Sequence, residues 1–250
     1  MSDRQPTRSK RENVDPNREF DKTSLRATAH GKWVHRDYAA HFFRWGFAGR
    51  FSNRETDILD VGCGPDCQLV EVLTMPLSSV PRSYVGVDMN KEPRKHPTRG
   101  WAQFLWEFNF LKDHKKLNGQ KFGLITNFEV IEHMRAEDGQ KLLIAMREHL
   151  AVGGKILLST PVFSGNAAAN HLHEWTIEEL TRAIGKAKLR VAERYGTFGT
   201  WNKLKKAATP AEVDIAKRLA KYYSGEVISC FLAPLYPDAA SNNIWVIEHA

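Results

Sequence analysis

The chain has 250 residues, 42% of them hydrophobic, and a formal net charge of +7; that apolar share excludes a chain too polar to bury a sizeable core. Its three cysteines, Cys63, Cys67 and Cys230, are too few and unevenly placed for a disulfide framework, which fits a reducing, cytoplasmic setting. No run approaches ~18 apolar residues and no apolar leader is visible, so neither a membrane span, a membrane partner nor secretion is expected. The positive charge is scattered among acids rather than gathered into a nucleic-acid stripe.

Residues 1–25 are polar and charged, with two prolines and no periodicity, which predicts a disordered arm ahead of one domain over 26–250. The stretch 26–52 is dense in aromatics. Trp33, Tyr38, Phe42, Phe43, Trp45 and Phe47 cannot all face water, so one or two helices ending near Gly49 are expected to pack as a lid. Strand one is Asp57–Val61, a short helix follows over Cys67–Thr74, strand two is Ser83–Asp88, strand three lies near Phe104–Phe108 and strand four is Phe122–Asn127. A helix is expected through Glu129–Met134 and another over Gly139–Leu150, then strand five over Gly153–Thr160. Thr176, with Glu179 three residues on, opens an amphipathic helix with a capping box. "LRVAERYG" and "NIWVIEHA" are strands six and seven. A long insertion, 197–241, separates them: a helix with Pro210 in its first turn, then "SCFLAPLYPDAASNN" as an apolar, proline-marked loop. The alternation defines the fold class as α/β: a Rossmann-like, seven-stranded, mostly parallel sheet with helices on both faces, an N-terminal helical lid and an insertion before the last strand.

Two stretches carry the chemistry. "ILDVGCGPD" places Gly62-Cys63-Gly64 directly after strand one, where a ligand can approach backbone that bears no Cβ and the next helix offers free N–H groups. The third glycine of a dinucleotide fingerprint is absent, Cys67 standing there, which counts against NAD or FAD. Strand two ends in Asp88, where a carboxylate can accept from ribose hydroxyls.

"ILDVGCGPD", "YVGVDMN", "FGLITNFEVIEHM" and "LAVGGKILLSTP" together resemble the class I S-adenosylmethionine-dependent methyltransferases of the type 11 group, over about Asp57 to Glu193 and the final strand. The resemblance implies S-adenosyl-L-methionine as cofactor. It places Asp60 and Gly62, Cys63 and Gly64 beside the methionine part, Asp88 on the ribose and Met89 on the adenine. It sets Asn109 and Phe110 where the adenine amino group is read, and Asn127 and Phe128 on the floor near the transferred methyl. Many relatives have Asp where this chain has Asn109.

Glu129, Glu132 and His133 fall at i, i+3 and i+4, one face of the expected helix, and suit a divalent ion such as Mg²⁺ or Mn²⁺. His171, in "HLHEWT", is a fourth candidate ligand. This set resembles that of the small-RNA 2′-O-methyltransferases, in which the metal grips the terminal ribose hydroxyls and lowers the acceptor's pKa. The alternative is the metal-free type 11 arrangement, with His133 as base and Glu132 orienting it; Glu129 then complements a helix dipole and His171 and His173 are loop hydrogen-bonders. No Asn/Asp-Pro-Pro-Tyr, Pro-Cys nucleophile or lysine-bearing tetrad can be placed, which disfavours base amino methylation, cytosine C5 attack and cap-type chemistry.

On the acceptor side the resemblance points to the N-terminal helices, where His35, Arg36 and Tyr38 are candidates, and to the late insertion, with His173 added from "HLHEWT". The catalytic set is His133, Glu132 and His171. The expected activity is methyl transfer to an oxygen of a small molecule or glycan; the runner-up is metal-assisted 2′-O-methylation of an RNA terminal ribose. A non-catalytic cofactor-binding scaffold is the reading from another class, and a scaffold has no need of Asp60, Gly62, Gly64 and Asp88 together.

Overall fold

The computed structural model of the protein describes residues 36–74, 80–91 and 99–250. The expected arm, His35 and the side chain of Arg36 lie outside the described residues. The chain runs α1 (Arg36–Gly49), β1 (Asp57–Val61), α2 (Gln68–Leu73), β2 (Ser83–Val87), β3 (Ala102–Leu105), α3 (Phe110–Asp113), β4 (Phe122–Phe128), α4 (Ala136–His149), β5 (Leu150–Pro161), α5 (Ile177–Lys186), β6 (Leu189–Phe198), α6 (Trp201–Ala207), α7 (Pro210–Leu219), α8 (Gly225–Leu232) and β7 (Asn242–His249). The seven strands form one sheet in the order β3-β2-β1-β4-β5-β7-β6, parallel except that β7 runs antiparallel to both its neighbours.

Period-two alternation along the strands divides the core between the two faces. Leu59, Ile125, Ile156 and Trp245 pack under α4 and α5, against Leu142, Met146, Leu180 and Ile184. Ile58, Leu124, Leu157 and Ile244 pack under α1 and α2, against Trp45, Phe47, Leu69 and Leu73. The expected capping box is present: the Glu179 N–H donates to Thr176 Oγ1 at 3.1 Å and Glu179 Oε2 accepts from the Thr176 N–H at 3.0 Å.

Three expectations are corrected. β3 ends at Leu105 rather than reaching Phe108, because Glu107 takes a left-handed backbone with φ +52°. No α-helix runs through Glu129–Met134. Glu129 sits at φ +58° and Met134 is extended, leaving one 3-10 turn over Ile131–His133. "SCFLAPLYP" is not all loop: its first four residues end α8, which is capped by Ser224, and a 3-10 turn over Ala233–Leu235 continues it. An almost uniformly apolar run has no readable period, so burial on both α1 and β6 sets its conformation.

Candidate active site

The first four strands of the parallel run, and β5 beside them, deliver their functional residues to their carboxyl ends. After β1 the Gly62 and Cys63 N–H groups donate to Val87 O at 2.9 and 3.3 Å, folding the turn over the end of β2. Gly62 has φ +83°, and a Cβ there would lie 2.4 Å from Val130 Cγ2. Gly64 has φ +69°, and its N–H donates to Asp88 Oδ2 at 2.8 Å. Asp88 Oδ1 accepts from the backbone and side chain of Asn90, at 2.9 and 2.6 Å. The carboxylate thus ties the glycine turn to the loop after β2 while spare lone pairs are left for hydroxyl donors.

Beneath this turn Asp60 accepts from Tyr84 Oη at 2.6 Å and from Thr126 Oγ1 at 2.7 Å. Burial outweighs both bonds and pushes its carboxyl up to about 6. The Cys67 thiol beside Cys63, together with burial, holds the Cys63 thiol above its usual range.

At the end of β4, Glu129 accepts from Ser159 Oγ at 2.7 Å and from Asn242 Nδ2 at 2.9 Å, and pairs with Arg44 Nη2 at 3.3 Å. Arg44 comes from α1 and is 2% exposed. Glu132 is fully buried; burial, and then the charge of Glu129, raise its carboxyl well above the usual range, although Thr160 Oγ1 donates to it at 3.1 Å. His133 Nδ1 lies 3.1 Å from the Asn170 carbonyl. A carbonyl only accepts, so the neutral ring carries its proton on Nδ1 and keeps the Nε2 lone pair free. His171 Nδ1 likewise faces Glu174 Oε1 at 2.6 Å, and that oxygen also accepts from the Ala168 N–H at 2.9 Å. The two imidazoles meet edge to face, 5.0 Å between centroids.

These groups share one cleft of about 1020 Å³, which brings Asp60, Gly62–Gly64, Asp88 and Met89 together with Phe128, Glu129, Glu132, His133 and His171. Asn109, Phe110, Asn127 and His173 lie outside its lining. Asn109 opens α3, Phe110 turns into the core, Asn127 Nδ2 donates to Val61 O at 2.9 Å and the His173 ring packs on Trp175. Tyr38 is buried and also outside the lining. Ligand atoms of Glu132, His133 and His171 converge within 4.8 Å of one another, whereas Glu129 does not join them. Because the expected helix is a 3-10 turn, Glu129 is turned instead to Arg44, Ser159 and Asn242, a correction to the expected four-ligand set. Sequence reasoning missed Arg44, His41 and Glu174 at this cleft. The signal for Arg44 was a lone charge inside an aromatic run, and for Glu174 its place three residues after His171.

Residues 31–192 match the family model described as a methyltransferase domain, more than half of the chain. The chain belongs to this methyltransferase family. Its fold is that of the class I S-adenosylmethionine-dependent enzymes. The methyltransferase is similar in structure to the 1,6-didemethyltoxoflavin-N1-methyltransferase of Burkholderia thailandensis, solved with its substrate and S-adenosylhomocysteine (15% identity, TM-score 0.57, 90% of this chain and 85% of that one). It is also similar to the O-methyltransferase NcsB1 of neocarzinostatin biosynthesis, in complex with S-adenosylmethionine and 2-hydroxy-5-methyl naphthoic acid (15%, TM-score 0.52, 94% of this chain and 59% of that one). CalO1, a methyltransferase of calicheamicin biosynthesis, aligns with 64% of the chain at 20% identity and a TM-score of 0.49, and the chain spans 50% of its length. No curated protein matches the sequence.

Proposed function

We propose that this methyltransferase moves the methyl group of S-adenosylmethionine to an oxygen of a small-molecule or glycan acceptor, with His133 taking the acceptor's proton. The observation that carries this reading is the Asn170 carbonyl on His133 Nδ1, which leaves Nε2 as a free base in the cofactor cleft. The sulfonium methyl is already activated, so holding an acceptor oxygen in line and removing its proton completes the reaction. In this reading Asp60, the Gly62–Gly64 turn, Asp88 and Met89 hold the cofactor, and Phe128 borders the reacting methyl. Glu132 is then a neutral hydrogen-bonding group, and α1 and residues 199–241 cover the acceptor side. Support for a small acceptor over RNA comes from the cleft's charged side chains: Asp60, Asp66, Asp88, Glu129 and Glu174 stand against Arg44 alone, an acidic excess that repels a phosphate chain. The fold accommodates a small hydroxylated naphthoic acid in NcsB1.

The convergence of Glu132, His133 and His171 favours a second reading, in which they hold a divalent ion on the path to 2′-O-methylation of an RNA end. The donor set fits in part: His171 is backed by a carboxylate, as metal-ligating histidines are, but Glu132 would have to ionise in its buried site. Bound there, an ion would lower the acceptor hydroxyl's pKa. A labelled-methyl transfer assay across metabolite, glycan and RNA acceptors, with and without chelator, tests both. His133→Ala is expected to lower kcat by ~10²–10⁴ with no response to chelator. Activity abolished by chelator and restored by Mn²⁺ would replace the first reading with the second, and a fully active His133→Ala enzyme would defeat both.

A further inference from the structure

The insertion between β6 and β7 carries a surface that the cleft does not use. Its inner side is settled: Trp201, Ala216, Leu219, Ile228 and Leu232 form a small core among α6, α7 and α8. Its outer side is not. Ile215 is 56% exposed, Tyr222 78%, Tyr223 49% and Phe231 56%. Ile215, Arg218 and Tyr222 share one side of α7 and of the turn that prolongs it, where the Tyr222 N–H donates to Leu219 O at 2.8 Å. The Tyr223 and Phe231 rings meet edge to face at 5.9 Å, which continues the apolar surface from the end of α7 onto α8. Lys217, Arg218 and Lys221 are exposed in the same segment, and none has an ion-pair partner among the described residues. Asp214 and Glu226 are the exposed acids nearest in sequence, so cations prevail over residues 214–226.

We propose that this α7–α8 corner is a docking surface for an anionic lipid bilayer. Exposed aromatic and aliphatic side chains flanked by lysine and arginine that outnumber the exposed acids three to two suit a headgroup layer, in which the rings enter the acyl boundary and the cations meet lipid phosphates. A second copy of the chain fits less well: an isologous contact sets a segment in which exposed cations outnumber exposed acids against its own copy. Single-stranded nucleic acid needs open ring faces for stacking, and the edge-to-face pair of Tyr223 and Phe231 closes one of them. The contact is peripheral. No described helix is long and apolar enough to cross a membrane, and the proposal amends the expectation of no membrane partner that followed from the lack of a spanning run. The position is suggestive of use, because α8 packs on α1, and the insertion leaves and rejoins the sheet beside Phe198 and Ser241, both in the cleft wall. An amphiphilic acceptor held at the interface would thus reach the cleft along this side.

The test is co-sedimentation of the full chain with phosphatidylcholine vesicles, with and without phosphatidylglycerol, at low and high salt, beside S-adenosylhomocysteine binding as a check on the fold. The expected result is binding to the anionic vesicles at least about tenfold stronger than to neutral ones, weakened by salt. Lys217→Glu with Arg218→Glu and Lys221→Glu is expected to abolish the anionic preference, and Tyr222→Ser with Phe231→Ser to weaken binding about tenfold. Both variants should keep wild-type affinity for S-adenosylhomocysteine, since none of these residues touches the cleft. Equal or absent binding to the two vesicle types overturns the proposal. So does a single-stranded oligonucleotide or self-association that depends on these residues in place of vesicles. Loss of S-adenosylhomocysteine binding by the wild type would instead count against the cofactor assignment, which the vesicle result does not touch.

Discussion

Single side chains in the cleft have separable consequences. Asp88 latches the Gly64 N–H, and the proposed function has it also accept from the ribose hydroxyls of the cofactor. Asp88→Ala is expected to weaken S-adenosylhomocysteine binding by ~1–3 kcal/mol, read by calorimetry, and unchanged affinity would remove Asp88 from the site. Gly62 faces a harder limit, because its left-handed backbone and the 2.4 Å approach to Val130 Cγ2 both exclude a Cβ. Gly62→Ala should cost about 1–3 kcal/mol of stability, and Val130→Ala in the same chain should recover part of it; additive losses in a double-mutant cycle would show that the clash is not the cause. Asp60 supplies a pH signature. Its carboxyl lies at about 6 in the folded chain, above the ordinary value of 3.8, so the folded protein holds an extra proton between those values. Stability from this group is therefore full below about 4 and falls as pH rises to about 6, by about 3 kcal/mol at most. Urea unfolding across that window should show the fall in the wild type and a flatter profile in Asp60→Asn; parallel profiles would reject the assignment.

Elements were legible where a local rule operates. The helix opened by Thr176 announces itself by Thr and Glu three apart, and the structure closes both bonds of that box. Thr176→Ala is expected to destabilise the protein by about 1 kcal/mol in thermal or urea unfolding without touching cofactor affinity. Legibility failed where tertiary contacts override the local pattern. Glu129-x-x-Glu132-His133 has helical spacing, yet a left-handed Glu129 is held by Ser159 and Asn242, residues 30 and 113 positions away. Nothing within "FEVIEHM" records those partners. The glycine turn at Gly62–Gly64 and the acid at Asp88 were readable as local structure because each is dictated by its own strand end. Arg44 was not, because its role depends on how α1 lies across the sheet.

At the scale of the whole molecule, the sign of charge is partitioned. A chain of net charge +7 sets six acidic side chains against one arginine, Arg44, in the lining of its cleft, so its excess lysine and arginine lie elsewhere. This suits a cofactor whose reacting centre is a sulfonium cation, which loses that charge on giving up its methyl group. The strand order was foreseeable only as a class: alternation of β and α runs predicts a parallel sheet, but not that the strand at 242–249 would enter between β5 and β6. That position has a consequence for how the protein is made. Among the described residues β6 has no sheet partner except β7, which leaves the ribosome after the other six described strands. Until residues 242–249 emerge, the edge of β5 is open and β6, with the insertion that follows it, has nothing to pair with. Before β7 is made the nascent chain therefore carries an open β5 edge and an unpaired β6, a state in which intermolecular pairing competes with folding. Chaperone capture during translation should accordingly peak after β6 is exposed and cease once β7 is out.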